Sequence, residues 1–465
     1  MQLFDDQIEF IQNLRAAFAT KKSIIGQAAT GFGKSYVACY LCKGSIAKNK
    51  RVFFMVHRRS LALQISKEFK KNSVLHSFIA SGLPHIPDRN IYAVMMQTLV
   101  SKLHKFQPPD LLIYDEAHTS QSKSGTKIIK WVLQNGGKVL GLSATPEPTS
   151  GNGLEKQFED IICSIPTKEL IEKKRLSPYD IYCPEITPDF SNVPIVKGDY
   201  SQEKIEEIIN TPKITGDALE DYQRLADGKA CVVFTSSVKH AYDVAEQFNQ
   251  AGYKFVAIDA DTSDDDREQA FDDLANRRIH GITNYGICIE GVDIPLVECV
   301  IMLRATISII VWLQALGRGL RYVFGKRCVT IDSTGNVFRL GTPCMKQEWS
   351  LKAKKKRKAS DAAPPMPLRH CKGCKAIYDA ALTKCPRCGS THVILPKEIK
   401  TRKGKLEKID PEQVAALLAE RKLKKIEEGI AKTYDEYLAI GIKRGYKNPK
   451  AWAFYRSKNK KYGKK

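Results

Sequence analysis

The sequence predicts an α/β protein of two consecutive domains, each built on a parallel sheet, with a small cysteine-bearing module and a basic helical tail appended. Three observations carry this expectation. Short apolar runs alternate with helix-spaced stretches over residues 1–345, a charged, proline-rich segment then breaks the rhythm, and four clustered cysteines follow as two Cys-x-x-Cys pairs. The length of 465 residues agrees, since a single core rarely serves more than about 250–300 residues.

In the first third, "KSIIGQAA", "RVFFMVH", "DLLIYDEAH" and "KVLGLSATP" read as buried parallel strands, with helical spacing between them in "LALQISKEFKK". After "EKKRLSPYDIYCPEI" the pattern restarts. "ACVVFTS", "KFVAIDA", "HGITNYG", "CVIMLRA" and "RCVTIDS" make a second set of strands, with "VKHAYDVAEQFNQAG" as a helix between the first two. The expected boundaries are 1–168 and 169–345 for the two domains, 346–368 for a linker, 369–392 for the cysteine module and 393–465 for the basic C-terminal region. Within that last region "DPEQVAALLAERKLKKIEEG" carries an Asp cap, a first-turn proline and helical apolar spacing.

Charge is unevenly distributed. Residues 346–465 hold 33 Lys and Arg against 12 Asp and Glu, which accounts for +21 of the chain's +23. A nearly neutral body with a basic tail points to a polyanionic partner, above all nucleic acid. No membrane span or secretory leader is legible, so a cytoplasmic protein is expected, bacterial or in the host cytoplasm if phage-encoded. Nine of the thirteen cysteines are scattered, mostly through apolar runs, and do not suggest a disulfide framework.

The stretch "QAATGFGKSY" places Thr30, Gly31, Phe32, Gly33, Lys34 and Ser35 on a strand-to-helix turn, where backbone N–H groups and the helix dipole face an anion. Alanine stands at 28 where the usual phosphate-loop pattern begins with glycine. Gly31 and Gly33, which must let the backbone approach phosphate, are present. Lys34 suits the β- and γ-phosphates of a nucleoside triphosphate, and Ser35 suits Mg²⁺. Asp115 and Glu116 end another apolar strand, the position of a Mg²⁺-supporting carboxylate and a water-activating base.

Taken in order, "AATGFGKS", "DEAH", "LSATP" and "QALGRGLR" resemble the motifs of superfamily 2 helicases and translocases. The resemblance covers roughly residues 1–345 and implies two RecA-like domains with ATP between them. It implies further that Gln7 reads adenine, although Phe4 stands where a basic residue is usual. His118, Ser143 and Thr145 would couple hydrolysis to movement. Gly291 and Asp293 would meet the nucleotide from the second domain, beside Gln314, Arg318 and Arg321. Arginine suits that place because charge develops on the γ-phosphoryl oxygens during transfer. Nucleic-acid contacts are expected from His57, Arg58 and Arg59, from Ser81 and Gly82, from Gln97 and Thr98, and from Thr235 and Ser236, through phosphates rather than base edges.

Cys371, Cys374, Cys385 and Cys388 have the spacing of a tetrahedral Zn²⁺ site, in which metal supplies the stability a module this small lacks. "GYKNPKAWAFYRSKNKKYG" interleaves Trp452, Phe454 and Tyr455 with basic residues, suited to stacking on bases, docking a partner or capping the fold. With "DSTGNVFRLGTP" and the four cysteines, it resembles RadD-type DNA-repair helicases of bacteria and phages. The expected function is therefore an ATPase that unwinds or remodels single-stranded, forked or branched DNA in repair, recombination or replication. A repair or single-strand-binding protein would meet the C-terminal region. Strand-neutral translocation, branch migration, RNA unwinding, and plain nucleic-acid binding around a vestigial ATP site stay open as alternatives.

Overall fold

The computed structural model describes residues 2–147, 153–184, 190, 193–196, 198–209, 212–288, 296–352, 368–370, 377–379, 384, 388–391, 406–446 and 448–462. An opening helix, Asp5–Thr20, lays Phe10, Ile11 and Leu14 against the first sheet. That sheet has seven strands: β1 (Ser23–Gln27), β2 (Val52–Val56), β3 (Ser77–Ile79), β4 (Ile91–Met95), β5 (Leu111–Asp115), β6 (Lys138–Ser143) and β7 (Asp160–Cys163). All neighbours are parallel, in the order β3-β4-β2-β5-β6-β1-β7. Strand β2 is buried at all five positions, as its unbroken apolar run requires when helices cover both faces.

The second sheet contains β8 (Tyr179–Pro184), β11 (Cys231–Phe234), β12 (Phe255–Ile258), β13 (Gly281–Asn284), β14 (Cys299–Met302) and β15 (Cys328–Asp332). A two-stranded ribbon, β9 (Ile195–Val196) with β10 (Asp199–Tyr200), lies over the loop after β14. Its Asp199 accepts hydrogen bonds from the Thr306 hydroxyl at 2.8 Å and the Ile307 amide at 2.9 Å. The block at 332–343 is structural: Asp332 accepts from the Val337 amide, and the Trp312 indole donates to the Gly341 carbonyl.

Where the chain leaves the second domain differs from the expected boundary at 345. After β16 (Leu368–His370) and β17 (Ile377–Asp379), which pair antiparallel, strand β18 (Leu406–Lys408) returns and pairs antiparallel with β8. The sheet order is thus β12-β13-β11-β14-β15-β8-β18. Ile409 and Val414 are buried in the second domain's core, so the start of the helix Pro411–Ile430 completes that domain instead of belonging to a free tail. The reason is a parallel-sheet edge at β8 that would otherwise present unpaired backbone groups. Asp410 caps the helix as expected, accepting from the Glu412 and Gln413 amides. Helices Tyr434–Lys443 and Pro449–Tyr462 form a hairpin around Tyr437, Ile440 and Ala453. There Trp452 packs edge-on against Tyr437 and Tyr446, a capping role, while Phe454 remains exposed. Among the described residues no helix is long and apolar enough to cross a membrane.

Candidate active site

The turn after β1 takes the conformation its glycines allow. Gly31 and Gly33 have φ of 86° and 95°, and a Cβ would approach Leu176 within 2.6 Å at the first and the Gln7 amide within 2.7 Å at the second. Lys34 begins the helix Lys34–Ile46 and donates from Nζ to the Ala28 carbonyl at 3.2 Å. Ala28 itself is fully buried and keeps its place in the turn without strain at its backbone. Ser35 follows in the helix's first turn.

Strand β5 carries Asp115 and Glu116 to the same end of the sheet. Glu116 sits in the left-handed region at φ 51°, a conformation that costs a branched or long side chain about 1 kcal/mol and aims the carboxylate away from the strand. Burial and the neighbouring Glu116 push the Asp115 carboxyl above the usual carboxylate range, with Lys34 opposing. Burial holds the Lys34 ammonium below its ordinary pKa, opposed by Glu116 and Asp115 and reinforced by Arg318 and Arg321. A divalent cation between Ser35 and Asp115 would relieve the crowding of the two carboxylates, so the residues fit Mg²⁺.

His118 connects this strand to β6. Its Nδ1 lies 3.3 Å from Glu116 Oε2 and 3.5 Å from Ser143 Oγ, and Ser143 Oγ in turn accepts from the Thr145 amide at 3.1 Å. The three residues expected to couple hydrolysis to movement therefore form one buried chain.

The second domain meets this site through the helix Ile309–Gly319. A Cβ on Gly317 would stand 2.6 Å from Thr30, so the helix rests directly on the phosphate turn. Arg318 is 6% exposed and Arg321 is buried enough for its pKa to fall to about 10. Gln314 is 3% exposed, and among the described residues neither its amide nitrogen nor its oxygen has a hydrogen-bond partner. A buried amide left this way costs about 1–3 kcal/mol, the mark of a site that expects a ligand. Gly291 and Asp293 lie outside the described residues.

Beside the turn is a cleft of about 400 Å³ lined by Phe4, Gln7, Tyr36, Lys174, Arg175 and Tyr322. Gln7 donates to the Phe32 carbonyl at 2.9 Å and accepts from the Phe4 amide at 3.2 Å. Sequence reasoning missed Arg175, Asp6 and Tyr322. Arg175 lay in a segment read only as a connector, and its partner Asp6 is 169 residues away in sequence.

The expected nucleic-acid residues divide. Arg58, Arg59 and Gln97 are exposed at the carboxyl ends of β2 and β4, Arg59 lies 3.8 Å from the Cβ position of Gly82, and the Ser81 amide donates to Thr98 Oγ at 3.3 Å. These segments therefore share one surface, with His57 half-buried behind it. Thr235 and Ser236 do not join it. Both are buried, Thr235 Oγ donating to the Asn284 carbonyl and Ser236 Oγ lying 2.9 Å from His240 Nδ1, because each hydroxyl satisfies the loop that starts the helix Val238–Gln250. Of the four cysteines expected to hold zinc, Cys371, Cys374 and Cys385 lie outside the described residues. Cys388 is exposed, its Sγ 3.0 Å from Ser390 Oγ, and among the described residues no His, Cys, Asp and Glu group has metal-binding geometry.

Residues 1–148 match the family described as "Type III restriction enzyme, res subunit", and residues 214–323 match "Helicase conserved C-terminal domain". The "51.5 kDa protein" of a Lactococcus phage is 30% identical over 399 residues, 85% of this chain and 84% of that one. The "Putative ATP-dependent helicase IRC3" of Saccharomyces cerevisiae is 27% identical over 62% of this chain. The chain belongs to the superfamily 2 helicases. As a member of that superfamily it is an ATP-hydrolysing enzyme. It spans 44% of the yeast relative's length. A DNA-bound structure, "ATP-dependent Type ISP restriction-modification enzyme LlaBIII bound to DNA", has a TM-score of 0.54 over 71% of this chain and 27% of its own, at 16% identity, which shows a shared fold.

Proposed function

We propose that this superfamily 2 helicase couples ATP hydrolysis between its two domains to the remodelling of DNA. One observation carries the reading: the second-domain helix that ends in Gly317, Arg318 and Gly319 packs on the phosphate turn, a Cβ at Gly317 standing 2.6 Å from Thr30, with Arg318 buried at that contact. Each domain thus contributes half of the reactive set. Lys34 and the backbone amides of residues 31–35 hold the phosphates, and Gln7 borders the base. Glu116 orients and deprotonates the attacking water. Arg318 and Arg321 stabilise the charge that grows on the γ-phosphoryl oxygens, with Gln314 hydrogen-bonding beside them. Ser35 and Asp115 would hold Mg²⁺, which when bound would supply further neutralisation of phosphate charge. The Glu116–His118–Ser143 chain passes the state of the site to β6 and Thr145.

DNA is the favoured strand partner because exposed Arg58, Arg59, Ser81, Gly82 and Gln97, with half-buried Thr98, offer guanidinium, hydroxyl and amide donors to phosphates, and the similar LlaBIII structure is a DNA complex. The finer readings stand on less. A Zn²⁺-holding module at Cys371, Cys374, Cys385 and Cys388 is supported by the spacing, by the β16–β17 pair around the first knuckle and by the Lys384–Thr391 bridge around the second. A RadD-like part in DNA repair, in a bacterial or phage-infected cytoplasm, rests on the motifs at 332–343 and 445–463. Docking of a repair or single-strand-binding protein on the C-terminal helices belongs to that same reading.

The test is ATP hydrolysis measured without nucleic acid and with single-stranded, duplex, forked and RNA substrates. Stimulation by DNA that Glu116→Gln abolishes is the expected result. Equal turnover with and without every nucleic acid would refute the motor reading. Strand-displacement and triplex-displacement assays then separate unwinding from translocation.

A further inference from the structure

Arg175 joins two parts of the site that the motifs treat as separate. Its Nη1 donates to both carboxylate oxygens of Asp6, at 2.8 and 3.0 Å, and its Nη2 donates to the Phe32 carbonyl at 3.1 Å. The guanidinium carbon lies 3.6 Å from the centre of the Phe4 ring, in stacking contact. Both ion-pair partners are buried, at 10% and 4% exposed. Gln7 donates to that same Phe32 carbonyl, so two side chains converge on one atom of the phosphate turn, at the wall of the cleft beside it.

The next two residues of the chain reach across to the second domain. Leu176 packs on Gly31 and forms an antiparallel bridge with Arg321. The Ser177 amide donates to the Leu320 carbonyl at 2.8 Å, and Ser177 Oγ donates to the Arg321 carbonyl at 2.9 Å while accepting from the Val323 amide at 3.3 Å. Three consecutive residues therefore link the base-side wall, the phosphate turn and the backbone that carries Arg321. Tyr322, the residue after Arg321, forms part of the cleft wall.

We propose that Arg175 is a positioning residue that couples recognition of the nucleotide base to the placement of Arg321. This rests on the reading that ATP binds at residues 30–35. A purine seated in the cleft against Phe4 and Tyr322 fixes the Arg175 clamp, and the clamp fixes the connector at 176–177. A nucleotide with a smaller base leaves the connector looser and Arg321 less well aimed. Selectivity for the base is then expressed in kcat more than in KM, because alignment of Arg321 matters only as charge develops in the transition state.

The experiment compares ATP with UTP in the wild-type protein and in Arg175→Ala, Ser177→Ala and Phe4→Leu, recording kcat, KM and thermal unfolding. In the wild type, ATP is expected to exceed UTP chiefly in kcat. Arg175→Ala should lower kcat for ATP by about 10- to 100-fold, a typical cost of sub-ångström to ångström misplacement, while KM moves by less than about threefold. Its ATP and UTP rates should converge. Ser177→Ala, which cuts the link from the connector to the Arg321 backbone, should lower kcat for ATP and bring the ATP and UTP rates together, whereas a generally weakened fold would lower both rates in proportion and keep their ratio. Should Arg175→Ala fail to fold, Phe4→Leu at an exposed position must still erode the ATP/UTP ratio. Wild-type kcat and ratio in Arg175→Ala, or an unaltered ratio in Phe4→Leu, would overturn the coupling while leaving the ATPase intact. Absence of any hydrolysis in the wild type would instead sink the ATPase reading and this inference with it.

Discussion

The Lys34 ammonium is 3.2 Å from the Ala28 carbonyl, so the lysine folds back on the residue that replaces the first glycine of the phosphate-loop pattern. Incoming phosphate must draw it away. Lys34→Ala should lower kcat by about 10²–10³, the usual loss of a cationic or oxyanion-facing donor. Ala28→Gly should leave kcat nearly unchanged and cost about 0.5–1 kcal/mol of stability through added unfolded-state freedom. Steady-state hydrolysis beside chemical denaturation checks both, and a large rise in kcat for the glycine variant would show that the alanine impairs the turn.

Arg318→Ala and Arg321→Ala should each reduce hydrolysis strongly, toward the roughly 10³–10⁵ associated with an arginine that meets the γ-phosphoryl group. Affinity for a fluorescent ATP analogue should fall far less. A variant that loses binding and turnover in equal measure would place its arginine in ground-state binding.

His240 is buried, and burial lowers its pKa to about 4, opposed by Glu206 and Asp243. The sign follows from a folded pKa below the unfolded value of about 6.5. The unfolded chain binds more protons, so this group's contribution is complete above pH 6.5 and is lost as pH falls toward 4, by up to about 3 kcal/mol. His240→Gln should therefore show a shallower loss of denaturation free energy between pH 7 and pH 5 than the wild type. Parallel curves would contradict the assignment.

Truncation after residue 345 removes β18 together with Ile409 and Val414, whose burial is worth about 1.5–3 kcal/mol each. A 1–345 fragment should lose its second-domain transition or aggregate through the bared β8 edge, whereas 1–430 should retain it. Both should bind DNA with a flatter salt dependence than the full chain, because cationic contacts leave with the tail. Calorimetry and salt-titrated DNA binding test the two halves of this expectation separately.

Cys371→Ser and Cys388→Ser should each release bound zinc, measured by metal analysis of the purified protein, and leave basal ATP hydrolysis in place. Unchanged zinc content in both would remove the metal site from the proposal.

Much of the site was legible because its parts are local. The phosphate turn, the acidic end of β5 and the Gln314–Arg321 segment each occupy a dozen residues or fewer, and their types announce their chemistry. The strands read from sequence recur within three residues of their observed ends. Strands β3, β4, β7 and β8 were not read. β3 and β7 are only three and four residues long, β4 runs straight into the helix Met96–Ser101 without a turn signal, and β8 sat inside a charged connector. The Arg175 clamp and the β18 return were illegible for a different reason. Each depends on partners far along the chain, Asp6 in one case and Tyr182 to Pro184 in the other, and no periodicity within either segment records them.

The return of β18 has a mechanical corollary. Because β18 pairs with β8, the chain that leaves the second lobe after residue 345 is joined to it again at residues 406–408, so both ends of the intervening stretch would travel with that lobe in any stroke.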